Sequence, residues 1–465
     1  MQQLPRHAHY KESGLPWVGE IPAHWQIRRN RFLFREIDRR SKHGEETHLS
    51  MSQVHGLVPS KDLGRKSLQS ENYAGGKLVE EHDLVLNRLK AHLGVFARAK
   101  QAGVVSPDYT VLRPKGDASV RYCESLFKTS MYVGEFRRRT KGIVEGFWRL
   151  YTDDFYNVTA LLPPRPEQDQ IVAYLRVQDA HIARFIKAKR DLIKLLTEQK
   201  LRIIDHAVTR GLDASVRLKP SGIEWLGEVP EHWEVKPLKR WVRLNASTLG
   251  EKTNPDFEFR YVDIGSVQTG RLAKELEQIR FDAAPSRARR VLRRGDTIIS
   301  TVRTYLKAIW YVSEDTDDLI ASTGFAVLTP GTSVEPEYLG YVVQSSTFVN
   351  RVAANSIGIA YPAIAETVLG RFPVALPPTM DEQQAIVAQI KTESAPLDDA
   401  IICTEEEIKL IREYRDRLIA DVVTGQVDVR GWQPGPDDVV DDAALTALGD
   451  DSGDMTEEED GDGED

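Results

Sequence analysis

A thirteen-residue box occurs twice in this chain, and no other feature constrains the fold as much. Ser13-Gly14-x-x-Trp17-x-Gly19-Glu20-x-Pro22-x-His24-Trp25 returns as Ser221-Gly222-x-x-Trp225-x-Gly227-Glu228-x-Pro230-x-His232-Trp233, with eight of thirteen positions identical at an offset of 208. Trp and His are rare, so chance explains this poorly. A second block, Leu162-Pro163-Pro164-x-x-Glu167-Gln168-x-x-Ile171-Val172-Ala173, returns as Leu376-Pro377-Pro378-x-x-x-Glu382-Gln383-x-x-Ile386-Val387-Ala388, offset by 214 and then 215. Weaker matches lie between the blocks. His82-Asp83-Leu-Val-Leu resembles Gly295-Asp296-Thr-Ile-Ile, Lys90 stands opposite Arg303, and Tyr109-Thr-Val-Leu-Arg-Pro114 resembles Phe325-Ala-Val-Leu-Thr-Pro330. Two repeats are too few for a solenoid and suit a duplicated two-domain protein.

Composition bounds what such a protein contacts. The formal charge is −8, yet residues 437–465 hold fourteen Asp and Glu and no Lys or Arg, which leaves 62 basic against 56 acidic residues in the body. That acidic, Gly-rich tail is expected to be disordered and solvating. A basic body with an approximate two-fold repeat suits duplex DNA, itself nearly two-fold. No window reaches the ~18 apolar residues of a membrane span, and residues 1–10 lack a signal-peptide core. Cys123 and Cys403 lie far apart at non-equivalent positions, so neither a disulfide framework nor a metal site is expected, and a reducing cytoplasm is the simple reading.

Regions 30–160 and 240–375 mix short β-like runs (Leu84-Val85-Leu86, Val111-Leu112, Thr297-Ile298-Ile299, Ala326-Val327-Leu328) with helical stretches. Residues 28–42 read as an amphipathic helix. Each Leu-Pro-Pro ends its domain, because Pro continues neither a ladder nor a helix interior. Helical periodicity follows: Ile171, Leu175, Ile182, Phe185, Leu192, Leu196 and Ile203, matched by Ile386, Ile390, Leu397, Ala400, Ile411, Tyr414 and Leu418. Lys189 and Glu407 interrupt the stripe. Pro396 is expected to split the second segment, with a matching break near Asp179, leaving long helices of about thirty residues. Gly211 and Gly425 read as helix C-caps. Each stripe needs a partner, and the other copy, antiparallel, is the obvious one.

These boxes in this order closely resemble the specificity subunit of type I restriction-modification systems. The resemblance covers residues 11–430, with the second helix ending in Val423-Thr424-Gly425 and the first departing as Val208-Thr209-Arg210-Gly211. It implies an α+β fold with two α/β target recognition domains, joined by two long antiparallel coiled-coil helices in a pseudo-two-fold internal repeat. The expected layout is recognition domain 1 over 1–162 (box 11–27), a helical spacer over 163–212, recognition domain 2 over 213–376 (box 219–235), a second spacer over 377–430, and the tail 431–465. The family implies that each domain reads half of a bipartite double-stranded DNA target. It implies that the helices set the spacing and dock two modification (methyltransferase) subunits, and that restriction (translocase/nuclease) subunits join the complex. No cofactor is expected on this chain; S-adenosylmethionine, ATP and Mg are implied for its partners. The residues agree on catalysis: no amino-methyltransferase Asp/Asn-Pro-Pro-aromatic motif and no phosphate-binding Gly-x-x-x-x-Gly-Lys-Ser/Thr loop occur.

DNA affinity requires Lys and Arg at phosphates, and specificity requires side chains at base edges. The candidates are Arg88, Lys90, Arg137, Arg138, Arg139 and Lys141 in the first copy, and Arg287, Arg289, Arg290, Arg303 and Lys307 in the second. Ile182, Phe185, Leu196, Ile203, Leu397, Ile411, Tyr414 and Leu418 are the candidates for helix pairing and subunit docking. Trp17, His24, Trp25, Trp225, His232 and Trp233 read as a structural box, since an equal pair in two linkers reads as packing before acid–base chemistry. Two rival readings stand beside this one: a self-contained methyltransferase or nuclease with fused recognition domains, and a coiled-coil scaffold without DNA reading.

Overall fold

A computed structural model describes residues 4–436, except 53–54, 64–72, 143–147, 316 and 359–360, together with 438–440, 445 and 448. Most of the acidic tail lies outside these residues. The chain forms two compact units, Met1–Asp191 with Glu405–Asp465, and Leu192–Thr404. Two long helices, Arg165–Arg210 and Met380–Val423, each give one end to each unit.

The first unit is built on a four-stranded antiparallel sheet ordered Phe34–Ile37, Tyr109–Pro114, Leu84–Asn87, Phe96–Arg98. Three consecutive residues of its inner strand, Leu84, Val85 and Leu86, are apolar and buried because both faces are covered. Leu84 and Leu86 pack with Phe127 and Phe136, and Val85 packs with Val79, Val105 and Val111. The second unit repeats this sheet as Val242–Leu244, Phe325–Pro330, Thr297–Ser300, Ile309–Tyr311. An aspartate opens the equivalent strand in each. Asp83 accepts from the Glu80 N–H (2.9 Å) and from Arg113 Nε (2.9 Å), and Asp296 from the Arg293 N–H (2.9 Å) and the Thr329 hydroxyl (2.6 Å). Burial raises the Asp296 pKa, against the pull of the Thr329 bond.

Outside this shared sheet the units differ. The first carries two short pairs, Lys77–Val79 with Gly103–Val105 and Leu49–Ser52 with Gly56–Pro59. The second carries a four-stranded sheet in which Glu258–Val262 and Leu319–Ser322 run parallel.

Three local expectations are corrected. Residues 28–42 are not one helix: Gln26–Arg29 pairs with Thr159–Leu162, Asn30–Leu33 makes one turn, and Phe34–Ile37 enters the sheet. Strand pairing and the burial of Leu33 and Phe34 override the helical pattern. Neither long helix is broken near Asp179 or Pro396; they run 46 and 44 residues, with Pro396 inside the second. Pro396 and Thr392, the residue whose carbonyl loses its helical partner there, are both exposed. Finally, the buried stripe turns over Ile182 and Ile186 rather than Phe185, which is 40% exposed beneath the Lys189 ammonium.

Within each unit the helix ends run antiparallel. In the first, Arg415 pairs with Asp179 (2.7 Å) and Lys189 with Glu407, so the two residues that interrupt the apolar stripe neutralise each other. In the second, Lys200 pairs with Asp398 (2.6 Å), and Ile204, Ala207 and Val208 share a core with Ile386, Val387 and Ile390.

Candidate nucleic-acid interface

The duplicated blocks meet to form a joint in each unit. Trp25 Nε1 donates to Glu167 Oε1 (2.9 Å), and His24 Nε2 lies 2.7 Å from Glu167 Oε2. In the second unit Trp233 Nε1 donates to Glu382 Oε1 (2.9 Å), and His232 Nε2 lies 3.0 Å from the same carboxylate. The neighbouring glutamine ties the Leu-Pro-Pro turn to the domain. Gln168 accepts from the Ser119 N–H (2.8 Å) and donates to the Pro163 carbonyl (2.8 Å); Gln383 accepts from the Glu335 N–H (2.7 Å) and donates to the Pro377 carbonyl (2.9 Å). Lys11 and Lys219 donate to the carbonyls of Trp25 and Trp233. Trp17 stands edge-on to Tyr132 at 4.9 Å, and Trp225 edge-on to Phe372 at 6.5 Å. Every residue repeated in the two boxes and described here has a partner inside its own unit.

A second shared arrangement faces outward. After the central strand of the first unit the chain makes a turn, Ala91–Leu93, and the Arg88 carbonyl accepts from the Leu150 N–H (3.0 Å). Lys141 and Arg149 bond each other in both directions beside it (3.0 and 2.9 Å), and His92 stands edge-on to Trp148 at 5.9 Å. In the second unit the turn is Thr304–Leu306, the Thr301 carbonyl accepts from the Ile364 N–H (2.8 Å), and Ile357 and Ala363 bond each other (2.8 and 2.9 Å). Here Arg303 lies over the Tyr361 ring (5.1 Å), and Tyr305, Ile357 and Tyr361 are 58%, 84% and 66% exposed. Basic side chains beside exposed aromatic rings are the chemistry that holds phosphates and contacts bases.

No family profile matches the chain. It is 24% identical over 367 residues to the type I restriction enzyme MjaVIII specificity subunit of Methanocaldococcus jannaschii, covering 76% of this chain and 81% of the relative. A solved chain from work on assembly and conformational transition of the type I R-M system has the same fold, with a TM-score of 0.54 at 15% identity, over 88% of this chain and 99% of the other. The HsdS subunit from Thermoanaerobacter tengcongensis matches at 16% identity and a TM-score of 0.39, over 90% and 100%. The chain is thus similar in sequence to a type I specificity subunit and shares the fold of a chain from the type I R-M system.

Against that kinship the candidate basic residues separate by what they touch. Arg88 donates to the carbonyls of Asp108 and Pro107, Arg138 and Arg139 both pair with Glu135, Lys141 pairs with Asp154, and Arg290 pairs with Glu366. Arg289 bonds the Ala288 carbonyl and covers the Phe281 ring. Arg137 is exposed and helps, after burial, to lower the His92 pKa; Arg287 is also exposed. Lys90 begins the first turn, and Arg303 and Lys307 flank the second. Of the helix candidates, Ile182 is buried, Leu196, Ile203, Leu397, Ile411 and Leu418 are half-buried, and Tyr414 is 39% exposed. Sequence reasoning missed Tyr305, Tyr361 and Trp148, and the bridges beside the last two, Ile357 with Ala363 and Lys141 with Arg149. The signal was present: Lys141-Gly142 and Ile357-Gly358 each precede an aromatic and then the core residues Leu150 and Ile364.

Proposed function

We propose that this chain is the sequence-reading subunit of a type I restriction-modification complex, without catalysis of its own, in which each unit reads one half of a bipartite double-stranded DNA target. One observation carries the residue-level reading. Arg303 and Lys307 both adopt left-handed backbone (φ 51° and 50°). At the matching place after the first turn stands Gly94, φ 77°, which takes that conformation freely. A side chain there costs roughly 1–2 kcal/mol, and strain of this kind gathers where a side chain works outside the fold. The Lys307 ammonium makes no ion pair among the described residues. The second turn therefore presents Arg303, Lys307, Tyr305 and Tyr361 as its reading surface, and the first presents Lys90 and Trp148.

The helices would also dock two modification subunits. Phe185, Leu192, Leu195, Ile402, Leu410 and Tyr414 are large apolar side chains left exposed along them, as association surfaces are. Those partners would bring S-adenosylmethionine, and the restriction subunits ATP and Mg. No helix among the described residues is long and apolar enough to cross a membrane, which fits work on cytoplasmic DNA.

Methylome sequencing of host DNA with and without the gene identifies the target; absence of any bipartite motif would leave the scaffold reading standing. With the target known, Lys307→Gly in the assembled complex is expected to raise the melting temperature while weakening target binding several-fold. A variant that is stabilised yet binds normally would remove Lys307 from the interface.

A further inference from the structure

The joint of the first unit holds a residue that the second lacks. His7 stands 208 positions before Ser215, and the surrounding pairing is the same: the His9 carbonyl accepts from the Ala23 N–H (2.9 Å) as the Arg217 carbonyl accepts from the Glu231 N–H (2.8 Å). Ser215 is exposed and bonds Asp213 through its N–H (2.8 Å) and hydroxyl (2.6 Å). His7 instead turns inward, 6% exposed, with Nε2 3.9 Å from Glu167 Oε1 and its ring 5.5 Å from that of His24. One ligand atom from each of His7, His24 and Glu167 lies within 4.8 Å of the others.

We infer that His7, His24 and Glu167 form a divalent-metal site suited to zinc, clasping the N-terminal segment to the start of the first long helix. Zinc binds imidazole and carboxylate at about 2.0–2.2 Å in tetrahedral geometry, which sets ligand atoms about 3.4 Å apart. His24 Nε2 lies 2.7 Å from Glu167 Oε2, a distance that must open slightly, and His7 Nε2 lies 3.9 Å from the other oxygen, Oε1, so the carboxylate must turn slightly or bind through both oxygens. His24, with its side chain 37% exposed, is free to make that movement and leaves a fourth position facing water.

An independent feature supports the site. His7 Nδ1 is buried with no hydrogen-bond partner, 3.5 Å from the Asp428 carboxylate. A metal on Nε2 fixes the proton on Nδ1, where it points at Asp428. Carboxylates commonly stand behind metal-bound histidines in this way. Ligation thus gives the orphaned nitrogen a role that the metal-free hydrogen-bond network does not. The sequence carries no spacing signal for the set, because Glu167 lies 143 residues from His24.

The test uses the full-length untagged chain. After equilibration with zinc and gel filtration, elemental analysis should find about one zinc per chain. His7→Ala should abolish it, while His9→Ala and His232→Ala should keep it. Zinc should raise the melting temperature of the parent chain by several degrees and leave His7→Ala unmoved. Cobalt substitution should give the intense visible bands of a tetrahedral site in the parent chain alone. Zinc retained equally by His7→Ala, or no retention by the parent chain, overturns the assignment.

Discussion

The two joints use the same residues but are closed by different stretches of chain. In the second unit, Trp233 packs with Ile204, Ala207 and Val208, from the helix end just before it in sequence. In the first, Trp25 packs with Val422 and Val423, about four hundred residues away, and Tyr10 donates to the Gly425 carbonyl (3.0 Å). One joint is a bend in a continuous chain; the other joins its two ends. The chain-end joint is accordingly built more tightly. Glu167 has a side-chain exposure of 6% where Glu382 has 30%. A strap follows the second helix as well: the Asp428 N–H donates to the Pro5 carbonyl (2.8 Å), Val429 is buried, and Trp432 stands edge-on to Tyr174 at 5.2 Å. Closing a long loop costs only slowly more entropy with length, so a modest number of added contacts balances the difference.

The largest expected effect comes from removing that strap. A chain ending at Gly425 loses the burial of Val429 and Trp432 and the two bonds Gln170 makes to their carbonyls. It is expected to destabilise the first unit by about 3–5 kcal/mol. Hydrogen exchange should quicken in Tyr10–Glu12 and not in Leu218–Pro220. Equal quickening in both strands would break the distinction between the joints. A chain ending at 438 should behave as the full one.

The helix-capping glycines sharpen the contrast. Gly425 (φ 79°) and Gly211 (φ 72°) share a left-handed conformation. A Cβ on Gly425 would clash with the Pro22 ring and meet Trp25 Cη2 at 3.1 Å, whereas one on Gly211 would meet Trp233 Cζ2 at an ordinary 3.4 Å. Backbone strain alone predicts about 1 kcal/mol for Gly211→Ala, and strain with overpacking about 3 kcal/mol for Gly425→Ala. Chemical denaturation measures both, and equal losses would mean that Pro22 and Trp25 yield.

What the sequence made legible follows the same division. The boxes, the Leu-Pro-Pro turns and the central strands are short-range patterns stated twice, and the structure places them in equivalent positions. The resemblance agrees with the relative found and with the fold. Residues 28–42 misled because a charged strand–turn–strand there has a helix-like period while its partners, Thr159–Leu162 and Tyr109–Pro114, lie far along the chain. Pro396 misled because the rule against helical proline weakens where the lost bond faces water. At the proposed reading surface, Lys90 and Arg303 were visible as matched basic residues. The strain at Lys307 was not, since it appears only when Gly94 is seen to hold the same turn without it.

Next in size are the carboxylates, compared in EDTA so that metal occupancy does not enter. Glu167→Ala leaves the buried Trp25 Nε1 without an acceptor and is expected to cost about 2–3 kcal/mol. Glu382→Ala leaves donors closer to water and should cost about 1 kcal/mol. If the second loss matched the first, burial would not be what separates the joints.

The smallest effect tests where the joints should not differ. Lys11 Nζ lies 2.6 Å from the Trp25 carbonyl and Lys219 Nζ 2.8 Å from the Trp233 carbonyl, each across a short antiparallel strand pair within its own box. Neither contact involves a helix end, so neither depends on which stretch of chain closes the joint. Lys11→Met and Lys219→Met each keep most of the apolar stem and lose one charge-assisted bond, for about 1 kcal/mol apiece. Denaturant midpoints should fall by the same amount in the two variants. A larger loss at Lys11 would mean that chain-end closure strains the box itself, placing the asymmetry in the strand pairs rather than in the contacts of Gly425, Glu167 and the strap.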